Sequence, residues 1–171
     1  FRPCRYGECV TIADGLRVRF SDMGHLLGSA CIEFWLREDG TEKKIVFSGD
    51  VGNIDQPILN DPLPVAETDY LVVESTYGNR LHDKPKDVRA ELTEVLQRAF
   101  DRGGSVIIPA FAVGRTQELL YLLREIKQKK LVHGHDGFPV YLDSPLAEEA
   151  TSVFLQCDTD CFDLETQAVL K

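Results

Sequence analysis

The sequence predicts an α/β protein whose character changes near residue 80. Two observations carry this. Short β-type runs joined by tight turns fill residues 8–47. After residue 80, helical periodicities alternate with strand-sized apolar runs, a pattern that points to a parallel sheet with crossover helices. The 171 residues suffice for one ordinary domain or for two incomplete halves.

In the first part, Cys9-Val10-Thr11-Ile12 and Leu16-Arg17-Val18-Arg19-Phe20 read as strands joined by the turn Asp14-Gly15. Ala30, Ile32, Phe34 and Leu36 alternate with Cys31, Glu33, Trp35 and Arg37, which predicts a strand with one buried face. Glu38-Asp39-Gly40-Thr41 is a hairpin turn, and Lys44-Ile45-Val46-Phe47 is the return strand. Pro57, Pro62 and Pro64 keep residues 54–66 irregular. Tyr70-Leu71-Val72-Val73 reads as a short buried strand ending at Glu74.

In the second part, Val88, Leu92, Val95, Leu96 and Ala99 lie on one helix face, and Gly103-Gly104 ends that helix. Ser105-Val106-Ile107-Ile108-Pro109 reads as a strand. A second helix carries Leu119, Leu120, Leu122, Leu123 and Ile126. Residues 127–137 read as a polar loop and Val140-Tyr141-Leu142 as another strand. Ser144 and Pro145 are the N-cap and first residue of a third helix. Residues 163–171 read as the opening of a further helix. Neither that end nor the start Phe1-Arg2-Pro3 looks natural, so the expectation is a piece of a longer chain.

Composition narrows the function classes. The hydrophobic (43%) and charged (27%) fractions are those of a soluble globular protein, and no apolar run approaches the roughly 18 residues that span a membrane. No basic segment followed by an apolar one opens the sequence, so no signal peptide is visible. The net charge of −9 does not advertise a nucleic-acid partner, because phosphate contacts need Lys and Arg, although a metal site adds positive charge that a residue count omits. Five cysteines at Cys4, Cys9, Cys31, Cys157 and Cys161 lack the paired spacing of a zinc ribbon and read as free thiols of a reducing cytoplasm.

The polar residues of interest sit in loops that follow strands. Gly24 and Gly28 bracket His25, Gly49 and Gly52 bracket Asp50, and Glu74 ends a strand. Loops at one edge of a sheet can converge on a common site. An imidazole delivered with a carboxylate suits zinc, and a carboxylate can bridge two metals. From spacing alone, a structural histidine and a turn aspartate remain the commoner readings.

The strings around these residues resemble a known family. Gly24-His25-Leu26-Leu27-Gly28-Ser29-Ala30 is similar to the third metal motif of the metallo-β-lactamase fold, and Phe47-Ser48-Gly49-Asp50-Val51-Gly52-Asn53 to its fourth. Glu74-Ser75-Thr76-Tyr77-Gly78-Asn79-Arg80 resembles the acidic motif that opens a β-CASP domain. Two further β-CASP signatures are matched by residues 109–118, from Pro109 to Glu118, and by Leu142-Asp143-Ser144-Pro145-Leu146-Ala147. The five matches run in order from residue 24 to 147. They make the chain resemble an internal fragment of a β-CASP RNA-processing zinc nuclease, of the cleavage-and-polyadenylation-factor type.

That resemblance implies part of an αββα sandwich over residues 1–79 and part of a β-CASP domain, with a parallel sheet and crossover helices, over 80–171. It implies RNA as substrate and two zinc ions in the complete site. His25 would ligate one zinc and Asp50 would bridge both. Glu74 would be an acidic neighbour orienting a histidine of the site. Arg115 and Ser144, at two helix starts, would meet substrate phosphates. The alternatives are a non-catalytic RNA- or partner-binding scaffold of the same family, or another hydrolase of this fold.

The principal His-x-His-x-Asp-His motif is absent from residues 1–171, so the metal site is expected to be partial and the piece alone inactive. His133-Gly134-His135-Asp136 mimics a metal motif but reads as solvated loop, and His82 as a local polar residue. A split sandwich exposes sheet edges, so the piece should lie beside further polypeptide or associate, for instance as a homodimer.

Overall fold

A computed structural model describes residues 2–81 and 87–170. His82 lies outside the described residues. The chain forms two compact units, Phe1–Arg80 with Asp158–Lys171, and Leu81–Cys157. The sequence division near residue 80 and the packing differ at one place: the last fourteen residues group with the first unit.

The first unit is built on a five-stranded sheet in the order β1 (Cys9–Ala13), β2 (Leu16–Asp22), β3 (Ala30–Glu38), β4 (Thr41–Phe47), β5 (Tyr70–Val72). The first four strands form an antiparallel meander, and β5 joins β4 in parallel. The β3–β4 turn has φ 48° at Asp39 and 77° at Gly40. Two successive positive φ values match the right-handed twist of the flanking strands. The antiparallel hairpin brings the end of β2 and the end of β4 to the same edge of the sheet, and parallel pairing brings the end of β5 there too.

The buried side of β3 is the one that carries Cys31 and Glu33. Cys31 and Glu33 are fully buried, whereas Ile32 and Phe34 are only half-buried and Leu36 is exposed. The reason is that Glu33 is paired within its face: Arg19 binds it through Nε and Nη2 at 2.8 and 2.9 Å, Lys44 Nζ lies at 2.7 Å, and Ser21 donates at 3.0 Å. A buried carboxylate so surrounded loses little by leaving water. Near the same side, Met23, Cys31 and Val46 form a small core with Val65 from the proline-rich segment. Strand β5 is likewise exposed rather than buried, with Tyr70, Leu71 and Val72 all more than half accessible, because it is an edge strand.

The remainder of this unit is irregular, as the prolines require. Leu59 bridges Phe162, and the Asp163 carboxylate accepts from the Ile58 amide at 2.9 Å. A 3-10 turn (Thr159–Cys161) precedes a short helix at Leu164–Leu170, whose Thr166 amide also donates to Asp163, at 2.6 Å.

The second unit holds helices α1 (Val88–Phe100), α2 (Arg115–Gln128) and α3 (Pro145–Gln156). Asp87 caps α1 by accepting from the Ala90 amide, and Ser144 caps α3 with Pro145 in the first turn. Its core is Leu96, Leu123, Ile126, Val132 and Phe138. Residues 127–137 are therefore not a wholly polar loop: Lys127 and Gln128 finish α2, and Val132 is buried. Residues 105–109 and 140–142, expected as strands of a parallel sheet, join no ladder among the described residues. Ile107 is 92% exposed and Tyr141 85%, so these apolar segments lack the neighbours that a sheet interior supplies. Among the described residues, the parallel pairing is instead that of β4 with β5.

Candidate metal-ligand edge of the sheet

The two glycine-bracketed loops meet backbone to backbone. The Gly52 amide donates to the Met23 carbonyl at 2.8 Å, and a Cβ at Gly52 would overlap the Gly24 carbonyl. Gly24 has φ +58°, and a Cβ there would stand 2.5 Å from the Asn60 carbonyl. These glycines are present because no side chain fits between the loops. Asp22, at the end of β2, is buried and accepts from the Gly24 amide at 2.9 Å. Burial pushes its carboxyl pKa up, against the opposing pull of the Gly24 and Met23 amides. The Ser29 hydroxyl accepts from the His25 amide at 3.0 Å and closes the loop.

This packing brings His25 and Asp50 together. His25 Nε2 lies 3.9 Å from Asp50 Oδ2, with the side chains 43% and 70% exposed. That is too long for a hydrogen bond. Two donors each about 2.1 Å from a tetrahedral zinc stand roughly 3.4 Å apart. The pair thus fits two ligands of one ion with a shift of a few tenths of an ångström. Among the described residues, no group of three or more His, Cys, Asp or Glu side chains is placed to hold a metal. The donors fit zinc in kind and spacing, and supply part of a site.

Glu74 stands beside them in a more specific way than expected. Its Oε1 accepts from the Val51 amide at 2.6 Å, next to Asp50. The Val51 amide, the Thr76 side chain and the neighbouring His25 hold its carboxyl below the usual range. Among the described residues, the Glu74 carboxylate is hydrogen-bonded to the backbone of the Asp50 loop. Sequence reasoning also missed Ser48 and Asp22, which position the loops. Their signal was a polar residue at or just beyond the end of a strand, one or two positions before a glycine.

The two phosphate-contact candidates lie in the second unit and are engaged locally. Arg115 opens α2, and its Nη1 pairs with Glu118 Oε2 at 2.6 Å while the side chain stays 66% exposed. Burial pushes the Glu118 carboxyl pKa up, and Arg115 opposes this. Ser144 Oγ accepts from the Ala147 amide at 3.3 Å as a helix cap. The His133–Asp136 segment is structural: the His133 amide donates to Gln97 at 2.8 Å, and His135 Nε2 lies 3.0 Å from Asp101 Oδ1.

A mixed sheet whose strand ends deliver a histidine and an aspartate through glycine loops, followed by a helical unit, makes this an α/β chain. The chain is similar to proteins of the β-CASP family. The Beta-Casp domain matches residues 116–169. Ribonuclease TTHA0252 of Thermus thermophilus is 37% identical over 155 residues, 90% of this chain and 33% of the relative. An RNase J-like protein of Methanocaldococcus jannaschii is 37% identical over 154 residues, 88% of this chain and 34% of its own length. Cleavage and polyadenylation specificity factor 73 of Drosophila melanogaster is 35% identical over 145 residues, 82% and 20% respectively. The chain thus spans about a third or less of the relatives it matches.

Proposed function

We propose that this chain is part of a zinc-dependent ribonuclease, in which residues outside Phe1–Lys171 complete the metal site. The observation that carries the proposal is the convergence of His25 and Asp50 at one sheet edge, 3.9 Å apart. The names of the relatives, two of them ribonucleases in words, support RNA as the substrate. Bound zinc supplies an activated water and neutralises charge on a phosphodiester. His25, through Nε2, and the Asp50 carboxylate would be among the residues that hold the metal. Glu74 holds the Asp50 loop through the Val51 amide. Arg115, whose side chain is exposed while paired with Glu118, and Ser144 would meet substrate phosphates at the starts of α2 and α3. Five free thiols favour the cytoplasm as its compartment. The exposed β5 edge favours either association into a homodimer or cover from further polypeptide.

Two donors do not hold a dinuclear centre, since a stable catalytic site takes about three protein ligands per ion. The 171-residue chain alone should therefore retain no tightly held zinc after dialysis and should not turn over RNA. The protein extended to the length of its relatives should do both. In that longer protein, Asp50→Ala should lower cleavage by roughly 100-fold or more. Undiminished cleavage by that variant, or cleavage that persists in excess chelator, would refute the reading.

A further inference from the structure

The order of Asp50 depends on two backbone groups that flank it, and one buried hydroxyl connects them. Ser48 is the first residue beyond β4 and is 7% exposed. Its amide donates to the Val72 carbonyl at 2.9 Å, which continues the β4–β5 ladder by one rung. Its hydroxyl donates to the Gly49 carbonyl at 2.6 Å and accepts from the Glu74 amide at 3.0 Å. A hydroxyl is the side-chain group that can donate one hydrogen bond and accept another from this short reach. Glu74 then returns its carboxylate to the Val51 amide at 2.6 Å. The circuit runs from Ser48 to Glu74, from Glu74 to Val51, and back along the chain through Asp50. Gly49 on one side of Asp50 and Val51 on the other are both held, while the Asp50 side chain stays 70% exposed beside His25.

We propose that Ser48 is a positioning residue: its hydroxyl sets the Glu74 backbone so that the Glu74 carboxylate can pin the Val51 amide and fix the Asp50 loop. The proposal deepens the assignment of Asp50 as a metal ligand and rests on that reading only for its consequence in metal binding. Ser48 acts through Glu74 and the loop, by the two hydrogen bonds of its hydroxyl.

The test is amide hydrogen exchange by NMR on the full chain, without metal, followed by a zinc titration read at the His25 ring. Ser48→Ala should speed exchange at both the Glu74 and Val51 amides by 10-fold or more, and leave the β2–β3 ladder protected. Ser48→Thr should preserve both. Ser48→Val, equal in shape to the threonine variant but without a hydroxyl, should behave as Ser48→Ala does, and it decides the matter if the alanine variant unfolds. Glu74→Gln keeps the main-chain bond to Ser48 and should loosen Val51 alone. Unchanged exchange at Val51 in both hydroxyl-free variants would overturn the proposal, as would loss at Glu74 without loss at Val51. In the titration, zinc should shift the His25 signals at lower concentration in the native chain and Ser48→Thr than in Ser48→Val. If zinc leaves His25 untouched in the native chain while Val51 still loosens in the variants, the ligand assignment fails and the role of Ser48 stands.

Discussion

The two units position their side chains by different means. In the first, strands lead each candidate residue to the sheet edge, and main-chain contacts between Gly52, Gly24 and Met23 decide where His25 and Asp50 end. In the second, helices packed around Leu96, Leu123 and Ile126 provide the framework, and Arg115 and Ser144 sit at helix starts already engaged with Glu118 and the Ala147 amide. Positions set by a ladder and by glycine contacts tolerate little displacement. Residues at helix starts keep freedom to exchange one partner for another. The difference teaches where rigidity is built into this chain: around the metal-ligand candidates, not around the phosphate-contact candidates.

Removing packing from the helical unit should have the largest effect. Ile126 is fully buried in its core, so Ile126→Ala should cost about 3–4 kcal/mol, read as a lower urea midpoint. A loss below about 1 kcal/mol would mean that this core is not the framework of the second unit.

The sheet unit should respond to acid through Glu33. Burial pushes its carboxyl up, but Arg19, Lys44 and Ser21 outweigh that and bring it down from 4.5 to about 2. A carboxyl lowered on folding stabilises the fold above its unfolded value and loses that contribution as pH falls toward its folded value. Stability should therefore drop by up to ~3 kcal/mol between pH 4.5 and pH 2. Glu33→Gln should be less stable at neutral pH and show a flatter acid limb. Parallel acid limbs for the two proteins would remove Glu33 from the explanation.

Gly52→Ala probes the loop contact and should cost about 1–3 kcal/mol, because the new methyl meets the Gly24 carbonyl. It should also move the His25 ring signals, a change confined to the first unit. At the other extreme, Ser144→Ala should cost about 1 kcal/mol as a lost cap. Arg115→Ala should cost half a kcal/mol or less, since its partnership with Glu118 is exposed to water. If Arg115→Ala proved as costly as Gly52→Ala, the contrast between the units would collapse.

Much of this was legible in the residues. Period-two alternation and the Asp-Gly turns placed β1 to β4 within a few positions, and Asp39-Gly40 adopts the paired positive φ that its turn demands. The helices α1, α2 and α3 follow from periodicity and from Ser144-Pro145 as a start signal. The motifs around His25, Asp50 and Glu74 marked the candidate edge. Alternation could not say which face of β3 is buried, because Glu33 reads as a surface residue until Arg19 and Lys44 stand beside it. Apolar runs at residues 105–109 and 140–142 have strand character, but a strand exists only with a partner, and a partner is not a local property.

By itself, then, the sequence determined most of the elements, their caps and turns, the family resemblance, and which polar residues deserved scrutiny. Each of these is written in neighbours a few positions apart. The tertiary structure decided that His25 and Asp50 meet, that Glu74 spends its carboxylate on the Val51 amide, and that Ser48 links the two strand ends. Those contacts join residues 23 to 26 positions apart through backbone groups that every residue carries, so no side-chain pattern could announce them.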